Sequence, residues 1–189
     1  MARKTGITKE TVKHMILDAG AVYINYGTEN ERLYGATREG SEFEVEQDVR
    51  EIEIDGVRGP LKDARRVIEE HARLTVNLLE MTAENVAAAI PGAYTEDNGT
   101  HTSVKRSLKI SDMEYLENIA LVADYSGSGE PVVIMLKNAL ADGDFNLEAE
   151  DRDEATVEVQ FTAHFDPEDL DKSPWEVRFP LSDNGNNEE

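Results

Sequence analysis

Cysteine is absent from this chain of 189 residues. That removes disulfide bonds, thiolate nucleophiles and cysteine-ligated zinc from consideration. Histidine is scarce: the four histidines, His14, His71, His101 and His164, lie far apart, and no pair has the close spacing of metal ligands. Positive charge is in short supply as well. Only 19 Lys and Arg face 40 Asp and Glu, for a formal net charge of −21. Tight binding to nucleic-acid phosphates needs clustered cations, so that balance speaks against it. Long apolar runs are missing; 131–136 is strand-sized, far short of the ~20 residues that cross a bilayer as a helix. Residues 1–20 are interrupted by Arg3, Lys4, Lys9, Glu10 and Lys13 and lack a signal-peptide pattern, so the expectation is cytoplasmic synthesis.

The motifs that remain carry little chemistry. Asp142-Gly143-Asp144-Phe145-Asn146 starts like a calcium loop, but Leu147 stands where the loop needs glycine. Ser126-Gly127-Ser128-Gly129 has neither the lysine nor the following helix of a phosphate loop and reads as a hairpin turn. No carboxylate pair is singled out for acid–base work. The sequence therefore proposes no catalytic residue, cofactor or metal.

What is present is alternation. Ala72, Leu74, Val76 and Leu78 oppose His71, Arg73, Thr75 and Asn77; Val157, Val159, Phe161, Ala163 and Phe165 oppose Glu158, Gln160, Thr162 and His164. Similar patterns run through 104–110, 119–125, 131–137, 145–149 and 175–179. A short helix is expected over 8–17, ended by Gly20. A second is expected over 83–90, capped by Thr82 and stopped by Pro91-Gly92, with 94–100 as a polar loop after it. The expected fold is mainly β: a β-sandwich or barrel flanked by one α-helix, in a single domain of 1–181 with a disordered acidic tail at 182–189.

Residues 38–66 stand apart. Phe43 and Val45 alternate with Glu42, Glu44 and Glu46, and Ile52 and Ile54 with Glu51 and Glu53, which predicts two short strands and a long projecting hairpin with its tip at 55–60. Val57 and Leu61 there have little to pack against in a monomer. Arg58, Lys62, Arg65, Arg66 and Arg73 follow, and in so acidic a chain they either pair locally with Asp63, Glu69 and Glu70 or meet carboxylates of a neighbouring copy. The acidity itself either favours solubility alone or keeps a surface from sticking to DNA.

The stretch Glu51-Ile52-Glu53-Ile54-Asp55-Gly56-Val57-Arg58-Gly59-Pro60-Leu61-Lys62, then Arg65-Arg66 and Arg73-Leu74-Thr75-Val76-Asn77-Leu78-Leu79-Glu80, resembles the major tail (tail tube) proteins of long-tailed bacteriophages. So does the ending Ala163-His164-Phe165-Asp166 through Trp175-Glu176-Val177-Arg178-Phe179-Pro180. The resemblance implies a virion-tail subunit that forms rings, commonly six-membered, stacked into a tube through which DNA passes without specific binding. Tape-measure, tail-tip and tail-terminator proteins would be its partners, and no membrane is involved. It matches 38–66 to the family's inter-subunit loop, making Phe43, Val45, Ile52, Ile54, Val57, Arg58, Leu61, Lys62, Arg65 and Arg66 the interface candidates. Glu148, Glu150 and Glu158, on polar strand faces, are the candidates for charge along an acidic lumen. A tube subunit of a contractile or type VI-like secretion machine, and a soluble acidic β-sandwich binding module, are the alternative readings.

Overall fold

A computed structural model describes residues 6–8, 11–109, 114–126, 129–148 and 154–181. Along the chain run β1 (Ile16–Ile24), β2 (Arg32–Leu33), β3 (Thr37–Glu51), β4 (Arg65–Leu78), α1 (Ala83–Ala88), β5 (Ala93–Asp97) and β6 (Thr102–Arg106). They are followed by β7 (Leu116–Tyr125), β8 (Pro131–Ala141), β9 (Asn146–Glu148), β10 (Thr156–Thr162) and β11 (Trp175–Arg178). Nine of the strands form one antiparallel ladder folded upon itself; β5 and β6 pair separately. The ladder runs from β2 at one end to β3 at the other without closing, so the result is a sandwich rather than a barrel.

The fold in the ladder is made by β8. Its first part lies between β7 and β11, with Leu136 facing both Ile119 and Trp175 in register. Its last two residues, Leu140 and Ala141, pair instead with Thr162 and Phe161 of β10. Between the two parts Asn138 has φ +46°, a left-handed conformation that asparagine tolerates better than most residues. His164 holds the corner: Asn138 Nδ2 donates to the His164 carbonyl at 3.2 Å, and His164 Nδ1 lies 3.1 Å from the Asn138 carbonyl. One layer is therefore β2-β1-β7-β8-β11. The other is β3-β4-β10, with β9 and the end of β8 along the outer edge of β10.

The core lies between these layers. Val22 and Ile24 of β1, Ile119 of β7 and Leu136 of β8 meet Leu74, Val76 and Leu78 of β4 and Val157, Val159 and Phe161 of β10, all buried. These are the inward positions that alternation singles out on β4, β7 and β10. Phe165 is an exception: β10 ends at Thr162, and Phe165 lies exposed on the loop beyond.

The helix expected at 83–90 is present as α1, with Thr82 accepting a hydrogen bond from the Asn85 amide. Asn85 is buried and ties α1 to the sandwich: its Oδ1 accepts from Arg32 at 2.7 Å and its carbonyl from the Tyr34 hydroxyl at 3.4 Å. Burial of the Tyr34 phenol pushes its pKa well above the usual tyrosine range.

Three expectations need correction. The helix at 8–17 is replaced, among the described residues, by a single 3-10 turn at Thr11–His14 and by β1. Gly20 is no helix terminus. It has φ +73° at a bulge in β1, where a Cβ would sit 2.9 Å from the Val122 carbonyl oxygen. The apolar residues of 12–17 fit either period, and pairing with β7 decides between them. The loop expected at 94–100 is largely strand: β5 pairs with β6 from Ala93–Arg106 to Asp97–Thr102. Ile52 and Ile54 lie outside any strand; the hairpin's arms are β3 and β4 themselves, longer than predicted. The tail 182–189 and the centre of the 126–129 turn fall outside the described residues.

Candidate assembly surfaces

The hairpin of β3 and β4 has two unlike halves. From Thr37–Leu78 to Val45–Ala72 it is part of the sandwich wall, with Phe43 and Val45 turned inward against the core. Beyond Ala72 it leaves the body as a two-stranded ribbon in which few side chains are covered. Seven residues of β4, 65–71, carry this ribbon roughly 23 Å outward at the rise of an extended strand.

A clamp fixes the ribbon at its root. Glu70 Oε1 accepts from Trp175 Nε1 at 2.8 Å, and its Oε2 accepts from Gln47 Nε2. The Trp175 ring also packs against Phe43, with centroids 5.6 Å apart. Removing the acceptor leaves the indole N–H of a half-buried ring unpaired. Glu70→Ala is therefore expected to lower stability by about 1–3 kcal/mol. Trp175 is the only tryptophan, so its fluorescence in a urea titration reads the change directly. Glu70→Gln, which keeps a carbonyl acceptor, should retain most of the stability; an unchanged midpoint for Glu70→Ala would rule the clamp out.

Farther out, the register slips by one: Asp48 faces Glu69 but Val49 faces Val67, leaving Ile68 as the extra residue of a bulge. Val67 and Ile68 are 59% and 55% exposed. The adjacent apolar pair Val67-Ile68, set among charged residues, is the sequence signal of this bulge, and it lies outside the predicted interface positions.

The ribbon closes with the Ile52 amide donating to the Ala64 carbonyl at 2.8 Å. The tip then folds through two turns, Val57 N to Ile54 O at 3.2 Å and Ala64 N to Leu61 O at 3.2 Å. Gly56, with φ +90°, permits the first. The turns curl the tip around an open cup of about 470 Å³ lined by Ile52, Ile54, Val57 and Leu61, each between 42% and 49% exposed, and equally by Glu51, Glu53 and Asp55. Arg58 and Lys62 belong to the tip but not to the lining of the cup, and have no carboxylate partner among the described residues. Arg65 pairs with Glu51 at 3.4 Å, and Arg73 with Glu46 at 2.9 Å. Asp63, Glu69 and Glu70 take no part in these pairs: Glu69 lies beside His71, and Glu70 serves the clamp. Of the ten interface candidates, six thus lie in the tip, Arg65 and Arg66 start β4, and Phe43 and Val45 belong to the body.

The second surface is the outer face of the β3-β4-β10 layer. Pairing aligns Glu42, Thr75 and Gln160 in one row across the layer and Glu44, Arg73 and Thr162 in another, and sets Glu158 beside Asn77. Glu158 borders a polar recess of about 470 Å³ shared with Asn77, Asp144, Asn146 and Gln160. Glu148 is the last residue of β9, and Glu150 lies outside the described residues. Among the described residues no group of three His, Asp or Glu is placed to hold a metal ion, and no helix is long and apolar enough to cross a membrane.

No family model and no curated protein matches the chain. Solved structures similar to it in fold include the following two. A chain in the virion of a native gene transfer agent particle superposes with a TM-score of 0.46 at 8% identity, covering 78% of this chain and 92% of that one. A chain in the tail of an empty gene transfer agent particle, refined with helical C6 symmetry, superposes with a TM-score of 0.47 at 8% identity, covering 86% and 96%.

Proposed function

We propose that this chain is a non-enzymatic structural subunit of a phage-type tail tube, located in the virion tail, whose copies join into rings that stack into a hollow conduit for DNA. The observation that carries the reading is the ribbon: an arm that leaves the sandwich, exposes apolar side chains at its tip and holds two cations, Arg58 and Lys62, without a carboxylate partner among the described residues, in a chain of net charge −21. Such an arm loses free energy in water unless a partner covers it. A second copy is the acidic partner always at hand.

The open ladder supports the same reading. β3 presents a long free edge, and edges of this kind invite pairing unless covered or charged. Heterologous contacts that close make rings, and those that do not close make filaments; a tube uses both. The outer face carrying Glu42, Glu44 and Glu158 would line the bore, where fixed carboxylates repel phosphates and let DNA slide. Six subunits per ring is the size the family resemblance implies.

The test is negative-stain electron microscopy beside light scattering on the concentrated, purified chain. Rings or hollow tubes are the expected result. A strictly monomeric protein at high concentration would overturn the tube reading in favour of an acidic binding module.

A further inference from the structure

The self-assembly reading leaves open what the tip of the arm seats on. The cup combines apolar walls with Glu51, Glu53 and Asp55, and no Lys or Arg lines it. Glu51 is paired with Arg65, whereas Glu53 and Asp55 have no cationic partner among the described residues. An occupant therefore needs a protruding apolar group set among cations. Leu170 protrudes from the loop between β10 and β11, but Asp166, Glu168, Asp169 and Asp171 around it carry the cup's own sign. Val12 protrudes with a single lysine, Lys13, adjoining it.

The segment at the end of β6 has both properties. Leu108 is 82% exposed and is flanked by Lys105, Arg106 and Lys109. The segment forms a ledge anchored to the residues that end α1. The Ser107 amide donates to the Gly92 carbonyl at 2.9 Å, and Arg106 Nε donates to the Pro91 carbonyl at 3.0 Å. The Lys109 amide donates to Ser107 Oγ at 3.4 Å, which turns the chain around Leu108. Lys105 pairs with Glu96 across β5 and β6, but the Lys109 ammonium has no carboxylate partner among the described residues.

We infer that the hairpin tip of one copy docks on the 105–109 ledge of a second copy, with Leu108 entering the cup between Ile54, Val57 and Leu61 and Lys109 meeting Glu53 and Asp55. The inference rests on the self-assembly reading above and names the surface it uses. A chain cannot make this contact with itself. The tip lies beyond Arg65, at the start of β4. The ledge hangs from Pro91 and Gly92, past α1, which follows the other end of β4. The 14 residues of β4 hold the two roughly 40 Å apart. Tip and ledge thus sit at opposite poles of the molecule. Each docked pair leaves one tip and one ledge unused, so the contact is heterologous and propagates in one direction.

The absence of cysteine makes the test clean. A tagged Val57→Cys chain is mixed with a Leu108→Cys chain under mild oxidation, and the mixed disulfide is measured on non-reducing gels. The controls pair Val57→Cys with Leu170→Cys and with Val12→Cys. All four positions are exposed, so the fold is not at risk. The expected yield is at least about tenfold over either control, because a disulfide forms readily only between Cβ atoms already held within reach. Lys109→Glu on the ledge should remove most of the excess, and Glu53→Lys on the tip chain should restore it. A yield no higher than either control, or an excess that survives Lys109→Glu, overturns the docking, whether or not tubes form. The mixed disulfide without rings or tubes upholds the docking and overturns the conduit, so the two proposals fail separately.

Discussion

Val57→Asp combined with Leu61→Asp is expected to leave the isolated subunit folded and to stop it assembling. Both side chains are exposed on the tip, beyond every contact that holds the sandwich core, so the urea midpoint of the monomer should stay where it is. In an assembly they would be buried, and a further carboxylate desolvated beside Glu51, Glu53 and Asp55 is costly. A loss of about 2 kcal/mol per contact, the threshold of an interface hot spot, corresponds to roughly a 30-fold rise in the concentration needed for assembly. Light scattering against concentration measures that rise. Assembly at the unmodified concentration would show that the tip is not an interface. The effect should differ in kind from that of the tip cations, which act through steering and salt-sensitive pairing and should weaken as ionic strength increases.

The second large effect is on the fold itself. Phe161 of β10 is fully buried, its ring edge-on to Tyr34 with centroids 5.6 Å apart. It stands where β10 meets both β4 and the end of β8, so it packs at the point where the two layers join. Phe161→Ala removes the ring from a site that strands on either side prevent from collapsing, and should cost about 3–5 kcal/mol. Against a total stability of roughly 5–15 kcal/mol, that leaves the variant marginal. The shift in urea midpoint followed by Trp175 fluorescence checks it; a cost under about 1 kcal/mol would mean that the layers are not packed through this ring. Loss of Phe161 should also loosen Tyr34, and with it the hydroxyl contact that ties α1 to the sandwich.

The two predictions concern residues that the sequence describes very differently. Phe161 belongs to a strictly alternating run, and burial of one face of a strand leaves only one register for such a run. Val57 and Leu61 lie among Gly56, Gly59 and Pro60, where no period exists. Their importance comes from what the turns at 54–57 and 61–64 do with them, and that depends on Ile52 and Ala64 meeting across the ribbon. The clamp illustrates the same limit. Glu70 and Trp175 are 105 positions apart, and nothing in either neighbourhood announces the hydrogen bond between them.

The sequence by itself determined the mainly β character, the inward faces of β4, β7 and β10, the helix opened by Thr82 and the existence of a projecting charged hairpin. Each follows from local chemistry: a side-chain period of two, a capping hydroxyl, glycines between alternating runs. Tertiary structure alone decided that residues 16–24 are strand rather than helix, that β8 bends at Asn138 to serve both layers, and that the arm is clamped at its root and cupped at its tip. These outcomes depend on which strand lies alongside. Backbone pairing with a neighbour outweighs local propensities of a few tenths of a kcal/mol per residue.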